Sequence, residues 1–97
     1  MIAAELIEKC FARIQRAASA ADAGEDMADA CFAAESAVTV ALRSLLLVGE
    51  RRPAEALEGL AAMLQATLAT RQIPGQQVIR FSLEYLHSDR ARQVSLA

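Results

Sequence analysis

The chain has 97 residues, 10 Lys plus Arg, 12 Asp plus Glu and one His, for a formal net charge of −2. At this length it is one folding unit. It is 55% hydrophobic but only 4% aromatic, with 22 Ala, 12 Leu and six Gly plus Pro. That mix excludes disorder, which needs few apolar residues and high charge, and excludes a β-sandwich, which needs β-branched and aromatic residues with frequent turns. An all-α fold remains: a small antiparallel bundle of four helices, self-associating for reasons given below.

The first helix is expected over about residues 2–22. Ala3, Ile7, Cys10, Phe11, Ile14, Ala17, Ala18 and Ala21 form one stripe, opposite Glu5, Glu8, Lys9, Arg13 and Arg16. This is the period of an amphipathic surface helix. Glu5 and Glu8 also stand where a signal peptide would need positive charge and an unbroken apolar run. Gly24 suits the left-handed position past a helix end.

The second helix is expected over about 26–48, with Asp26 as N-cap and Asp29 in the first turn. On a helical wheel Met27, Cys31, Ala34, Val38, Leu42 and Leu45 face inward, and Asp29, Ser36 and Arg43 face solvent. Phe32, Val40 and Leu47 fall beside that solvent stripe. The run from Ala37 to Gly49 is too short to span a bilayer and is interrupted by Arg43 and Ser44. The chain is therefore read as soluble and cytoplasmic. Nine Arg against one Lys, together with the Ala content, point to a GC-rich bacterial source.

Val48-Gly49 ends that helix, and Pro53 with Glu55 opens a third over about 53–71. Leu57, Leu60, Ala61, Leu64 and Leu68 point inward, and Glu55, Glu58 and Gln65 outward. The turn at 48–57 is similar to that between the paired helices of tetratricopeptide-like units, a resemblance that implies an antiparallel hairpin. Ile73-Pro74-Gly75 separates the third helix from a fourth over about 76–90. There Val78, Ile79, Phe81, Leu83, Tyr85 and Leu86 spread over more than half the circumference, leaving Gln76, Arg80, Glu84 and His87 as a polar edge.

The second and fourth helices thus carry more apolar surface than one core requires. Contiguous exposed apolar surface usually marks an interface. A central helix wrapped by three others has the same periodicity. On the interface reading, Phe32, Val40 and Leu47 are the first anchors for a partner or a second copy, followed by Phe81 and Tyr85.

Chemistry has little to work with. Cys10 and Cys31 lie ~12 Å apart along an antiparallel hairpin centred near Gly24, too far for a disulfide. They read as small buried thiols. His87 stands on a polar edge without the Lys and Gly that usually follow a phosphotransfer histidine. Glu35 borders the apolar stripe with Thr39 and Arg43 in reach and no nucleophile near it, so it reads as structural. No phosphate loop, nucleophile elbow or metal-binding His pair occurs, and no cofactor, metal or enzymatic activity is expected. Residues 68–86 resemble a helix-turn-helix reader, which implies Gln76, Gln77 and Arg80 facing base edges and Arg71 a phosphate. The acidic balance of the chain opposes that alternative. The leading expectation is a small bacterial protein-interaction module (regulator, antagonist or secretion-type chaperone), acting as a homodimer through apolar helix faces.

Overall fold

A computed structural model describes residues 2–96, with side chains to residue 94. Among the described residues the fold is all-helical: α1 (Ile2–Asp22), α2 (Met27–Leu47), α3 (Pro53–Ala56), α4 (Glu58–Leu68), α5 (Gly75–Leu86) and α6 (Asp89–Leu96).

The first two helices end as their sequences require. Past α1, Gly24 takes φ +94°, its N–H bonds the Ala21 carbonyl, and the Glu25 N–H reaches back to Ala20. Past α2, Gly49 takes φ +87°, with the same pair of bonds to Leu46 and from Glu50 to Leu45. Both are Schellman closures, which a residue with Cβ enters only at a steric penalty. Asp26 caps α2, its Oδ1 accepting from the Asp29 N–H at 3.0 Å.

The expected third and fourth helices are each divided. The expected 53–71 helix breaks at Leu57, whose N–H bonds Glu55 and Pro53 carbonyls and whose side chain is completely buried. This break changes the packing. α4 lies mainly on α5 and α1, while the short α3 is the part that meets α2. The expected hairpin of second and third helices therefore does not extend along α4. The expected 76–90 helix breaks at His87-Ser88, and α6 begins again at Asp89. Ser88 does the work: its hydroxyl donates to the Tyr85 carbonyl at 2.6 Å and accepts from the Ala91 N–H at 3.2 Å. One side chain thus closes α5 and caps α6.

The core is built from Ile14 of α1, Val38, Leu42 and Leu45 of α2, Leu57, Leu60 and Leu64 around α4, and Val78 and Ile79 of α5. The face that α2 buries is rotated from the expected one. Ala30, Ala37 and Ala41 are buried, whereas Met27 and Cys31 are half-buried. Ala17, Ala18 and Ala21 are the buried small residues of α1. Small side chains on both helices let the axes approach closely, so contact follows the alanine stripe rather than the bulkiest side chains. The Cys10 thiol donates to the Ala37 carbonyl at 3.5 Å, which sets residue 10 beside residue 37 in the α1–α2 hairpin.

A polar node ties the end of α1 to the start of α5. No side chain of the adjoining turn caps α5. Asp22, 53 residues earlier, supplies the acceptor: its Oδ1 takes the Gly75 N–H at 2.7 Å. The Arg71 guanidinium donates to Asp22 Oδ2 at 3.1 Å and to the Ser19 hydroxyl at 2.8 Å. Gly75 leaves no room for more, since a Cβ there would stand 2.5 Å from Asp22 Oδ1 and 2.9 Å from Arg71 Nε. A carboxylate at a helix N-terminus is favoured by both the free N–H groups and the helix dipole.

Candidate functional site

α2 packs against α1, α3, α5 and α6. Its outward side nonetheless carries large apolar residues among polar ones. Leu47 is 87% exposed, Phe32 70% and Val40 47%, with Leu46 and Val48 also exposed at the C-terminal end. The three expected α2 anchors lie within one outward sector of the wheel, beside Asp29, Ser36 and Arg43. From Phe32 to Leu47 they cover ~22 Å of helix at 1.5 Å per residue. The helix is packed on several sides and still leaves three large apolar side chains uncovered, spaced along a face they share with Asp29, Ser36 and Arg43.

At the Leu47 end this face opens into a cavity of 570 Å³ between α2 and α6. Leu46, Leu47 and Val94 make its apolar wall, and Arg43, Arg90 and Gln93 its rim. Arg90 is held across the helices by Glu35, N to O 3.1 Å. Glu35 is thus an anchor for α6. Thr39, its expected neighbour, is engaged elsewhere: its hydroxyl lies 2.8 Å from the Tyr85 hydroxyl.

That bond corrects the reading of Tyr85. It is 8% exposed and belongs to the core, its ring buried and its polar tip satisfied on α2. Phe81 stacks on it, centroids 6.5 Å apart at an interplanar angle of 11°, and is half-buried against the core. α5 turns its aromatic side toward α2, so the surplus apolar surface expected of the fourth helix is spent in internal packing. Tyr85 offers no outward anchor.

The four residues of the helix-turn-helix alternative divide. Arg71 is committed to Asp22 and Ser19, and the Gln76 amide donates to the Leu68 carbonyl at 3.2 Å. Gln77 and Arg80 are exposed on α5. Arg71 is engaged with α1 and Gln76 with the end of α4, so both polar groups are already partnered within the fold.

Both cysteines are free. Burial pushes the Cys10 thiol up to about 12, against a smaller lowering by the nearby Arg13 charge. Burial also raises Cys31, which is half-buried. A thiol held protonated is a poor nucleophile and a poor ligand. His87 is exposed at the C-terminal cap of α5, its Nδ1 2.9 Å from the Leu83 carbonyl. Among the described residues no group of three or more His, Cys, Asp or Glu is placed to hold a metal ion.

The 37–49 run is too short for a bilayer, but the whole of α2 has 21 residues and is long and apolar enough to cross one by length and composition. Seven of its residues are buried against the other helices. A core helix of a soluble fold meets the same criterion.

Comparison of the chain with protein-family models, with curated proteins and with solved structures gives no match.

Proposed function

We propose that this chain is a small bacterial protein-interaction module, a regulator, antagonist or secretion-type chaperone, that pairs with a second copy of itself through the outward face of α2. The observation that carries the reading is the exposure of Phe32 and Leu47 on one face of a helix that packs against four others. Covering such side chains removes apolar surface from water, at about 25 cal/mol per Å². Aromatic and aliphatic anchors surrounded by a polar rim are the usual anatomy of a protein–protein contact. Here Asp29, Ser36 and Arg43 supply polar contacts interleaved with the anchors. In this reading the protein is cytoplasmic and not an enzyme, and α1, α2, α4 and α5 act as the four main helices of an antiparallel bundle.

The test is absolute mass by light scattering on a size-exclusion column over a wide concentration range. The wild-type chain is expected as a dimer. Leu47→Glu is expected as a monomer with unchanged helicity, because an 87% exposed side chain contributes nothing to the monomer core. A wild-type monomer at all concentrations, or a Leu47→Glu variant that unfolds, removes the reading. The helix-turn-helix alternative keeps Gln77 and Arg80 as its exposed groups. Its test is retardation of a DNA duplex at low salt by the intact protein, lost in Arg80→Ala.

A further inference from the structure

Two cavities of 380 and 420 Å³ lie end to end between α1 and α2 and share Arg13, Arg16 and Ala37. They make one groove. Its α1 wall is Leu6, Lys9, Arg13 and Arg16, whose alternating spacing of three and four residues keeps them in a single line. Ile2, 60% exposed, extends that line by one turn. The floor on α2 is made of small residues, Ala33, Ala37, Ala41 and Ser44, with Val40 at the rim.

Three properties of the groove select its occupant. Small floor residues let a third helix axis come within the 8–10 Å of ordinary helix packing. From Ala33 to Ser44 the floor runs ~16 Å, about three helical turns. The charge is one-sided: among the described residues no acid lines either cavity, and Lys9, Arg13 and Arg16 make no ion pair. This concentration of cations stands in the half of the chain, residues 1–50, that has eight acids to four bases. No aromatic side chain lines the groove for base stacking, and a phosphate backbone has no use for an apolar floor.

We infer that the groove between α1 and α2 is a docking surface for an acidic amphipathic helix of a partner protein. The apolar stripe of that helix lies on Ala37, Ala41 and Val40, and its carboxylates meet Lys9, Arg13 and Arg16. Leu6 makes the apolar end of the groove, and Arg13 and Arg16 the end that takes the densest negative charge. The inference goes beyond self-pairing and does not depend on it: Val40 and Ser36 border both surfaces, but Lys9, Arg13 and Arg16 on α1 belong to the groove alone.

The probe is a fluorescent synthetic helix of about four turns with a Leu/Ala stripe flanked by Glu, against a control with every Glu replaced by Lys. Anisotropy at low salt is expected to show binding of the acidic peptide only. Its affinity should fall about tenfold or more in Arg13→Glu/Arg16→Glu, and also on raising salt to about 0.5 M. Arg13→Gln/Arg16→Gln should fall in between, with circular dichroism unchanged in both variants. The inference is overturned by no binding at low salt, by equal binding of the Lys peptide, or by affinity unmoved in the Glu variants. It is overturned too if a DNA duplex binds as tightly as the peptide, or if Arg13→Glu/Arg16→Glu alters the mass in solution, which would make the occupant nucleic acid or a second copy. Leu47→Glu tests self-pairing separately, so failure of one reading is distinguishable from failure of the other.

Discussion

Substituting Ala for Gly75 probes the node between α1 and α5, and the sign of the effect depends on a residue 53 positions away. The added Cβ stands 2.5 and 2.7 Å from the two carboxylate oxygens of Asp22, distances at which something must move. Asp22 moves, because its side chain is the freest part of the node. The 2.7 Å bond to the Gly75 N–H then goes, and with it the 3.1 Å contact to Arg71. Losing a helix N-terminal acceptor costs about 1–2 kcal/mol. The ion pair adds about 0.5 kcal/mol, small because its partners keep access to water. Replacing Gly by Ala at the first helical residue returns about 0.5 kcal/mol, less than its interior value. Gly75→Ala should therefore destabilise the wild-type chain by about 1–2 kcal/mol, lowering Tm by roughly 4–16 °C. In an Asp22→Ala background the acceptor is already absent, and Arg71 is free to swing from the new methyl group. There Gly75→Ala should be neutral or stabilising by about 0.5 kcal/mol. The assay is urea and thermal unfolding of the four proteins of the cycle, followed by circular dichroism. An equal loss in both backgrounds, or a stabilised single variant, refutes the argument that Asp22 caps α5.

Further expectations rest on other contacts. Tyr85→Phe removes the bond to Thr39 and leaves the ring in place, so it should cost about 1 kcal/mol in urea unfolding while leaving the mass in solution unchanged. Ser88→Ala removes the cap of α6 and should cost about 1 kcal/mol, with faster amide exchange confined to residues 89–94. Alkylation followed by mass spectrometry should modify half-buried Cys31 well before Cys10, which is 2% exposed and should react only on opening. Cys10 also predicts a pH effect. Its folded value is raised above the usual 9.0 to about 12, so the unfolded chain releases the proton first. Stability is complete below pH 9 and is lost as pH rises from there toward 12, and Cys10→Ser should flatten that decline in urea midpoints.

Much of the local structure is legible in the residues. The ends of α1 and α2 follow from Gly24, Asp26 and Gly49, each needed for a backbone angle or a bond that few other residues provide. The break after α5 was open to reading as well: Ser88 is a favoured N-cap residue with acidic Asp89 in the first turn, hidden by the continuing apolar pattern. The break at Leu57 has no such signal, because it comes from burying Leu57 where α3 meets α2 and α6.

The candidate anchors divide on the same line. Phe32, Val40 and Leu47 were identifiable because a helical period assigns each residue an angle, and theirs falls opposite the buried face. Tyr85 was not, since an angle on α5 does not say which helix lies across from it. Arg71 and Gln76 were misassigned for the same reason, their partners being Asp22 and Ser19 on α1 for the one and the Leu68 carbonyl for the other. The α1–α2 groove also escapes a reading by single helices, because its walls come from two of them.

By itself, then, the sequence determined the helical class, the main helix ends and the outward apolar residues of α2, all properties of periodicity and of local hydrogen bonding. The tertiary structure alone decided that α2 rotates onto its alanines, that Asp22 caps a helix begun 53 residues later, and that Lys9, Arg13 and Arg16 border a small-residue groove. Those outcomes turn on how closely two helices approach, a distance set by the residues of both together.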